Sequence, residues 1–223
     1  MKRNTQLILA LDVDTFNKAR YFIDTLCPYI KMFKVGSQLF TGAGPAIVDY
    51  IHKKRAEVFL DLKFHDIPHT VASAVRQSAA LKVKMLTLHI AGGTQMLKAA
   101  VEEAGECKTR RPLLIGVTVL TSQESAPLEV LRLAKAGIAC GLDGVVASVN
   151  ETKALRISIK KDFIIVTPGI RPPGAQNDDQ KRVATAEEAV AAGSNFLVVG
   201  RPILEAQEPL QVAEAIIAAC KKA

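Results

Sequence analysis

Short apolar runs rich in β-branched residues alternate with stretches of helical periodicity along the whole chain. Leu7–Leu11 (LILAL) predicts a first strand, and Thr15 to Cys27 a helix that Pro28 stops. Phe33–Val35 follows as a short strand, with a helix around Pro45 to Arg55, then the strand Val58–Leu62. Pro68 suits a helix start, and that helix runs to about Leu81. Met85–His89 is the fourth strand, with Gly92 and Gly93 as punctuation before a helix from Thr94 to Ala104. Leu113–Leu120 is the fifth strand, Pro127 opens the next helix, and Gly144–Ala147 precedes a helix beginning near Glu151. Phe163–Val166 and Phe196–Val199 are the last two strands, with helices over Thr185–Ala192 and Pro209–Ala219. Strands that are continuously apolar and each followed by a helix indicate a parallel sheet covered on its faces. Eight such units in 223 residues close naturally into an α/β fold of the (β/α)8, or TIM-barrel, type. An open doubly wound sheet is the alternative, but G-x-G-x-x-G is missing after the first strand, and GAGP (Gly42–Pro45) lacks the third glycine. No linker or low-complexity tract divides residues 1–223, so one domain is expected.

Composition narrows the function classes. Apolar residues at 49% and charged residues at 23% fit a folded chain with a substantial core. Twenty-nine Lys and Arg against 22 Asp and Glu give +7, a surplus that favours anionic ligands such as phosphates or nucleotides. Nucleic acid is disfavoured as a partner, because aromatics are 5%, Trp is absent and the basic residues are scattered. The four cysteines, Cys27, Cys107, Cys140 and Cys220, form no C-x-x-C pair, which excludes zinc ribbons and thioredoxin-like motifs. Free thiols in a reducing compartment are the better reading. The apolar stretch Leu7–Leu11 ends at Asp12, too short for a signal segment, and no run approaches a membrane span. A cytoplasmic location without membrane contact is expected.

A barrel places its chemistry at the C-terminal ends of its strands. Asp12 follows LILAL, Lys34 lies in FKVG, Asp61 and Lys63 close VFLDLK, and His89 closes the fourth strand. Thr121 and Ser122 follow the fifth, Arg171 lies beyond the seventh, and Gly200 and Arg201 follow the eighth. DLKFHD, Asp61 to Asp66, is the densest cluster. Asp61 and Lys63, two apart on a strand end, can both point into one mouth while Leu62 faces away. A lysine held between carboxylates stays protonated and could stabilise developing negative charge, then donate a proton. A salt-bridge network tying the rim together explains the same spacing equally well. In VVGRPI, the backbone at Gly200 and Arg201 and the Arg201 guanidinium could hold a phosphate dianion; a surface arginine beside a tight turn is the weaker alternative in a barrel. His65 and His69 invite a metal reading, but Pro68 between them argues against one helix face, and no H-E-x-x-H occurs. No metal site is expected.

The segments LALDVD, FKVGSQLFTGAGP, FLDLKFHDIPHTV, IGVTVLTS, GLDGVVAS, VTPGIRP, DDQKRV and VVGRPI together resemble the bacterial-type orotidine 5′-phosphate decarboxylase family along nearly the whole chain. D-x-K-x-x-D alone is shared with Mg²⁺-dependent sugar-phosphate decarboxylases and synthases; Lys34, DDQKR and VTPGIRP favour the orotidylate branch. The resemblance implies cofactor-free conversion of orotidine 5′-phosphate to UMP, with Lys63 as proton donor to C6. It implies Asp61 near the departing carboxylate, Lys34 bridging the charged network and the ribose, and Asp12 on the ribose hydroxyls. Asp66 and Thr70 would reach into a partner subunit's site, making the active unit a homodimer. Thr121, with Ser122 as the nearby alternative, would contact the pyrimidine. Arg171, Gln180, Gly200 and Arg201 would hold the phosphate, with Pro172 to Asp179 closing over it. Between Leu120–Ser122 and Gly141–Gly144 this chain is shorter than the family usually is, which bears on rim packing and none of these positions. A non-catalytic nucleotide-binding barrel is the contrasting class; intact Asp61, Lys63 and Asp66 weigh against it.

Overall fold

The computed structural model describes residues 5–107, 110–119, 127–171 and 183–221. Eight parallel strands close into a barrel in strict sequence order, β1 to β8. They are β1 (Gln6–Ala10), β2 (Met32–Gly36), β3 (Glu57–Phe64), β4 (Met85–His89), β5 (Leu113–Val117), β6 (Gly144–Val146), β7 (Ile164–Thr167) and β8 (Phe196–Val199). Closure is made by β1 on β8, in the register Gln6–Phe196 through Leu9–Val199.

Helices cover the outside: α1 (Phe16–Leu26), α2 (Ser37–Ala43), α3 (Ala46–Lys53), α4 (Pro68–Ala80), α5 (Gly93–Gly105), α6 (Pro127–Ala139), α7 (Val149–Ser158), α8 (Ala186–Ala192), α9 (Arg201–Leu204) and α10 (Pro209–Lys221). Local chemistry sets their ends. Thr15 caps α1 by accepting from the Lys18 N–H at 3.3 Å. Thr185 and Glu188 cap α8 reciprocally, at 2.8 and 3.2 Å, and Gly193 leaves that helix in the left-handed conformation at φ 98°.

The period of two along each strand divides the apolar residues between two cores. Ile8, Ala10, Met32, Phe59, Met85, Ile115, Val166 and Val198 fill the barrel interior. Leu9, Phe33, Leu60, Leu86, Val145 and Leu197 face outward into the helix layer, where Ile23, Ile47, Val75 and Leu97 meet them. Phe33 is fully buried there, a burial that stabilises by about 1.5–3 kcal/mol.

Differences from the sequence expectation lie at element ends and in short elements. The expected single helix near Pro45 is preceded by α2, a seven-residue helix containing Gly42 that Gly44, at φ 58°, breaks from α3. The β5 ladder stops at Val117, and Leu120 lies outside the described residues. β3 continues past Leu62 to Phe64, but its register against β4 shifts between Leu60 and Phe64.

Candidate active site

The inward series of side chains explains why charge collects at one end of the barrel. From β1 it runs Ile8, Ala10 and then Asp12; from β2, Met32 and Lys34; from β3, Phe59 and Asp61; from β4, Met85 and Thr87. The lower members belong to the interior core, and Asp12, Lys34 and Asp61 line the cavity above it.

These side chains form a row of alternating charge. The Lys34 ammonium lies 2.8 Å from Asp12 Oδ1 and 3.5 Å from Asp61 Oδ2. Lys63 Nζ donates to Asp61 Oδ1 at 2.9 Å. The middle of the row is the enclosed part: the Lys34 and Asp61 side chains are 11% and 13% exposed, against 54% for Asp12 and 39% for Lys63 at its two ends. Burial by itself would push the Lys34 ammonium toward neutrality, but Asp61 and Asp12 outweigh it and raise its pKa above the usual lysine value. Burial likewise opposes the Asp61 carboxylate, yet Lys34, Lys63 and the hydroxyl of Thr87 hold its pKa below the ordinary range. Asp61 is therefore ionised and Lys34 protonated around neutral pH. A lysine between carboxylates was expected at Lys63; within one chain it is Lys34 that occupies that place, with Asp61 between two lysines.

Lys63 itself has a left-handed backbone, φ 52°, unusual for any residue but glycine. Its N–H has left the strand ladder and donates to Thr87 Oγ1 at 2.9 Å, while the same hydroxyl donates to Asp61 Oδ1 at 2.9 Å. Thr87 is fully buried and was not singled out from the sequence. The signal that could have found it is parity: it stands two residues beyond Met85 on β4, as Asp61 stands two beyond Phe59 on β3. Leu62 packs against the outer core, as the alternation predicts.

The cavity over this row, about 270 Å³, is also lined by Val117, Val146, Val166, Arg171, Gly200 and Arg201. The lining thus combines apolar side chains with two arginines, which suits a ligand with a flat ring and an anionic group. Ile170 bridges Ala184, and the Arg171 N–H donates to the Ala184 carbonyl at 2.9 Å. Thr121, Ser122 and Gln180 lie outside the described residues. Asp66 and Thr70 are exposed, beside the 66%-exposed Ile67, and do not line this chain's own cavity. The His65 and His89 rings lie 5.2 Å apart. Burial, then His65 and Lys63, push the His89 pKa below its ordinary value against the pull of Asp61, so its imidazole is neutral at pH 7. Among the described residues no group of three or more His, Cys, Asp or Glu could hold a metal ion, and no helix is long and apolar enough to cross a membrane.

A closed parallel barrel with fixed charges gathered at its C-terminal mouth is the architecture of a TIM-barrel enzyme. Residues 5–216 match the model of the orotidine 5′-phosphate decarboxylase / HUMPS family. The chain is 44% identical to an orotidine 5′-phosphate decarboxylase of Geobacter sp. (strain M21), covering 95% of this chain and 94% of the relative. It is 46% identical to that of Haemophilus ducreyi, covering 96% and 97%. A crystal structure of orotidine 5′-phosphate decarboxylase from Lactobacillus acidophilus superposes with a TM-score of 0.85 at 34% identity, covering 97% of this chain and 99% of that one. The chain belongs to the orotidine 5′-phosphate decarboxylase / HUMPS family, and is a decarboxylase.

Proposed function

We propose that this protein, as a single cytoplasmic domain, decarboxylates orotidine 5′-phosphate to UMP in pyrimidine biosynthesis without a cofactor. The observation that carries this reading is the alternating row Asp12, Lys34, Asp61, Lys63, which ends at Lys63 in a partly exposed ammonium lining the cavity. Breaking the bond between C6 and the carboxylate releases CO₂ and leaves an electron pair on a ring carbon that no neighbouring group delocalises. The Lys63 ammonium stabilises that pair and then donates its proton to C6; solvent returns the proton to Lys63. Asp61, held ionised, repels the substrate carboxylate, and the repulsion is relieved as CO₂ departs. Lys34 fixes Asp61 from behind and, with Asp12, meets the ribose. Thr121 contacts the pyrimidine. Arg171, Gln180, Gly200 and Arg201 hold the phosphate, far from the chemistry, so that its binding energy orders the site. Asp66 and Thr70 serve the site of a second copy; their exposure beside Ile67 at the mouth supports a homodimer.

The test is decarboxylation of orotidine 5′-phosphate, followed by loss of its ultraviolet absorbance in buffer containing EDTA. Rapid conversion to UMP is expected. Conversion that requires Mg²⁺, or turnover of a sugar phosphate instead, overturns the cofactor-free orotidylate reading, and UMP binding without turnover overturns the catalytic one.

A further inference from the structure

The register shift in β3 creates a problem that one side chain on β4 solves. Between Leu60 and Phe64 the two strands fall out of step, and the chain at Lys63 turns left-handed at φ 52°. Such a backbone is strained in a non-glycine residue and persists only where its surroundings hold it. The Lys63 N–H, removed from the ladder, needs an acceptor. Thr87 Oγ1 supplies it at 2.9 Å and spends its own proton on Asp61 Oδ1, also at 2.9 Å. That carboxylate oxygen is the one on which Lys63 Nζ rests. A single hydroxyl therefore closes a ring from the Lys63 backbone, through Asp61, to the Lys63 side chain.

We propose that Thr87 is a positioning residue of the decarboxylase, fixing both the left-handed backbone that launches the Lys63 side chain and the orientation of the Asp61 carboxylate. It is fully buried and absent from the cavity lining, so it acts through those two groups and not on the substrate. Its donor and acceptor are both spent, which also fixes which way the hydroxyl proton points: toward Asp61. Valine has the same shape without either capacity. Serine keeps both and gives up one methyl group. The assignment rests on Lys63 being the proton donor.

The experiment compares Thr87→Val, Thr87→Ser and Lys63→Ala by steady-state decarboxylation of orotidine 5′-phosphate and by UMP affinity. Thr87→Val is expected to lower kcat by about 10- to 100-fold, the cost of a reacting group displaced by a fraction of an ångström to an ångström. Its UMP affinity stays within about threefold, because the phosphate and ribose are held elsewhere. Thr87→Ser is expected to restore kcat to within about threefold while melting at a lower temperature, since it keeps the hydroxyl and loses packing. A packing role alone would give the opposite order, with valine the milder change. Should the valine variant not accumulate as folded protein, Thr87→Cys, which weakens donor and acceptor together, carries the same expectation of lowered kcat. Wild-type kcat in the folded valine or cysteine variant, or an equal fall in the serine variant, overturns the assignment of Thr87. Turnover retained by Lys63→Ala instead overturns the proton-donor reading beneath it.

Discussion

Lys34 and Asp61 face each other across the β2–β3 seam with 3.5 Å between ammonium and carboxylate, each side chain almost enclosed. Their neighbouring strands put Gly36 opposite Asp61, so Lys34 reaches up from two residues below. A charge pair that far from water contributes only while both partners are ionised, and each is further pinned from its open side, by Asp12 and by Lys63.

The pair predicts a defined pH dependence of stability. The Asp61 pKa is held below 3.8, so its contribution is complete above that value and is lost as pH falls through its lowered native value. The Lys34 pKa is raised above 10.5, so its contribution is complete below 10.5 and is lost as pH rises through the raised value. Melting temperatures of wild type and Asp61→Asn should therefore differ most across the neutral range and converge below pH 3.8. A gap that stays constant into acid contradicts the assignment.

Subunit sharing of the site is tested by mixing two inactive variants, Lys63→Ala and Asp66→Ala. In the proposed homodimer, half the dimers refolded together are hybrids, and one of the two sites in each hybrid holds both wild-type residues. Roughly a quarter of wild-type activity should return. No recovery in verified hybrids shows that Asp66 does not serve the partner's site.

At the opposite pole of the barrel, the Arg156 guanidinium joins α7 to the β7 and β8 entrances. It donates to the Gly193 carbonyl at 2.9 and 3.0 Å and to the Phe163 carbonyl at 2.7 Å, and stacks 4.6 Å from the centre of the Phe163 ring. Lysine cannot reproduce a planar fork. Arg156→Lys should cost about 1–3 kcal/mol in urea unfolding, at unchanged kcat per folded molecule. An unchanged urea midpoint would show that the fork carries no net stability.

Gly144 opens β6 where a side chain has no room. A Cβ there would sit 2.7 Å from Ile164 Cβ and press on the Ile164 carbonyl, so the adjacent strand itself would have to move. Gly144→Ala should destabilise by about 1–3 kcal/mol in the same measurement. A neutral result means that β6 and β7 can separate without penalty.

Much of this architecture is legible in the chain because strand and helix signals come in the same order eight times. Met85–His89 and Phe196–Val199 coincide with their predicted bounds. The charged mouth is legible too, since Asp12, Lys34 and Asp61 each follow an apolar residue two positions earlier. What escaped notice depends on three dimensions. α2 is too short, and too interrupted by Gly42, to show a helical period. Thr87 reads as an ordinary β-branched strand residue until β4 is set beside the slipped end of β3. The left-handed turn at Lys63 has no sequence signal at all, because no glycine or asparagine marks it.

The most direct measurement is the turnover of Lys63→Ala on orotidine 5′-phosphate, beside its affinity for UMP. On the proposed mechanism, removing the ammonium takes away both the charge that stabilises the carbanion and the proton that quenches it, so kcat should fall by about 10⁴-fold or more. UMP binding should largely survive, because the proposed phosphate grip, at Arg171, Gln180, Gly200 and Arg201, leaves Lys63 out. Near-normal turnover in a folded Lys63→Ala protein contradicts the account.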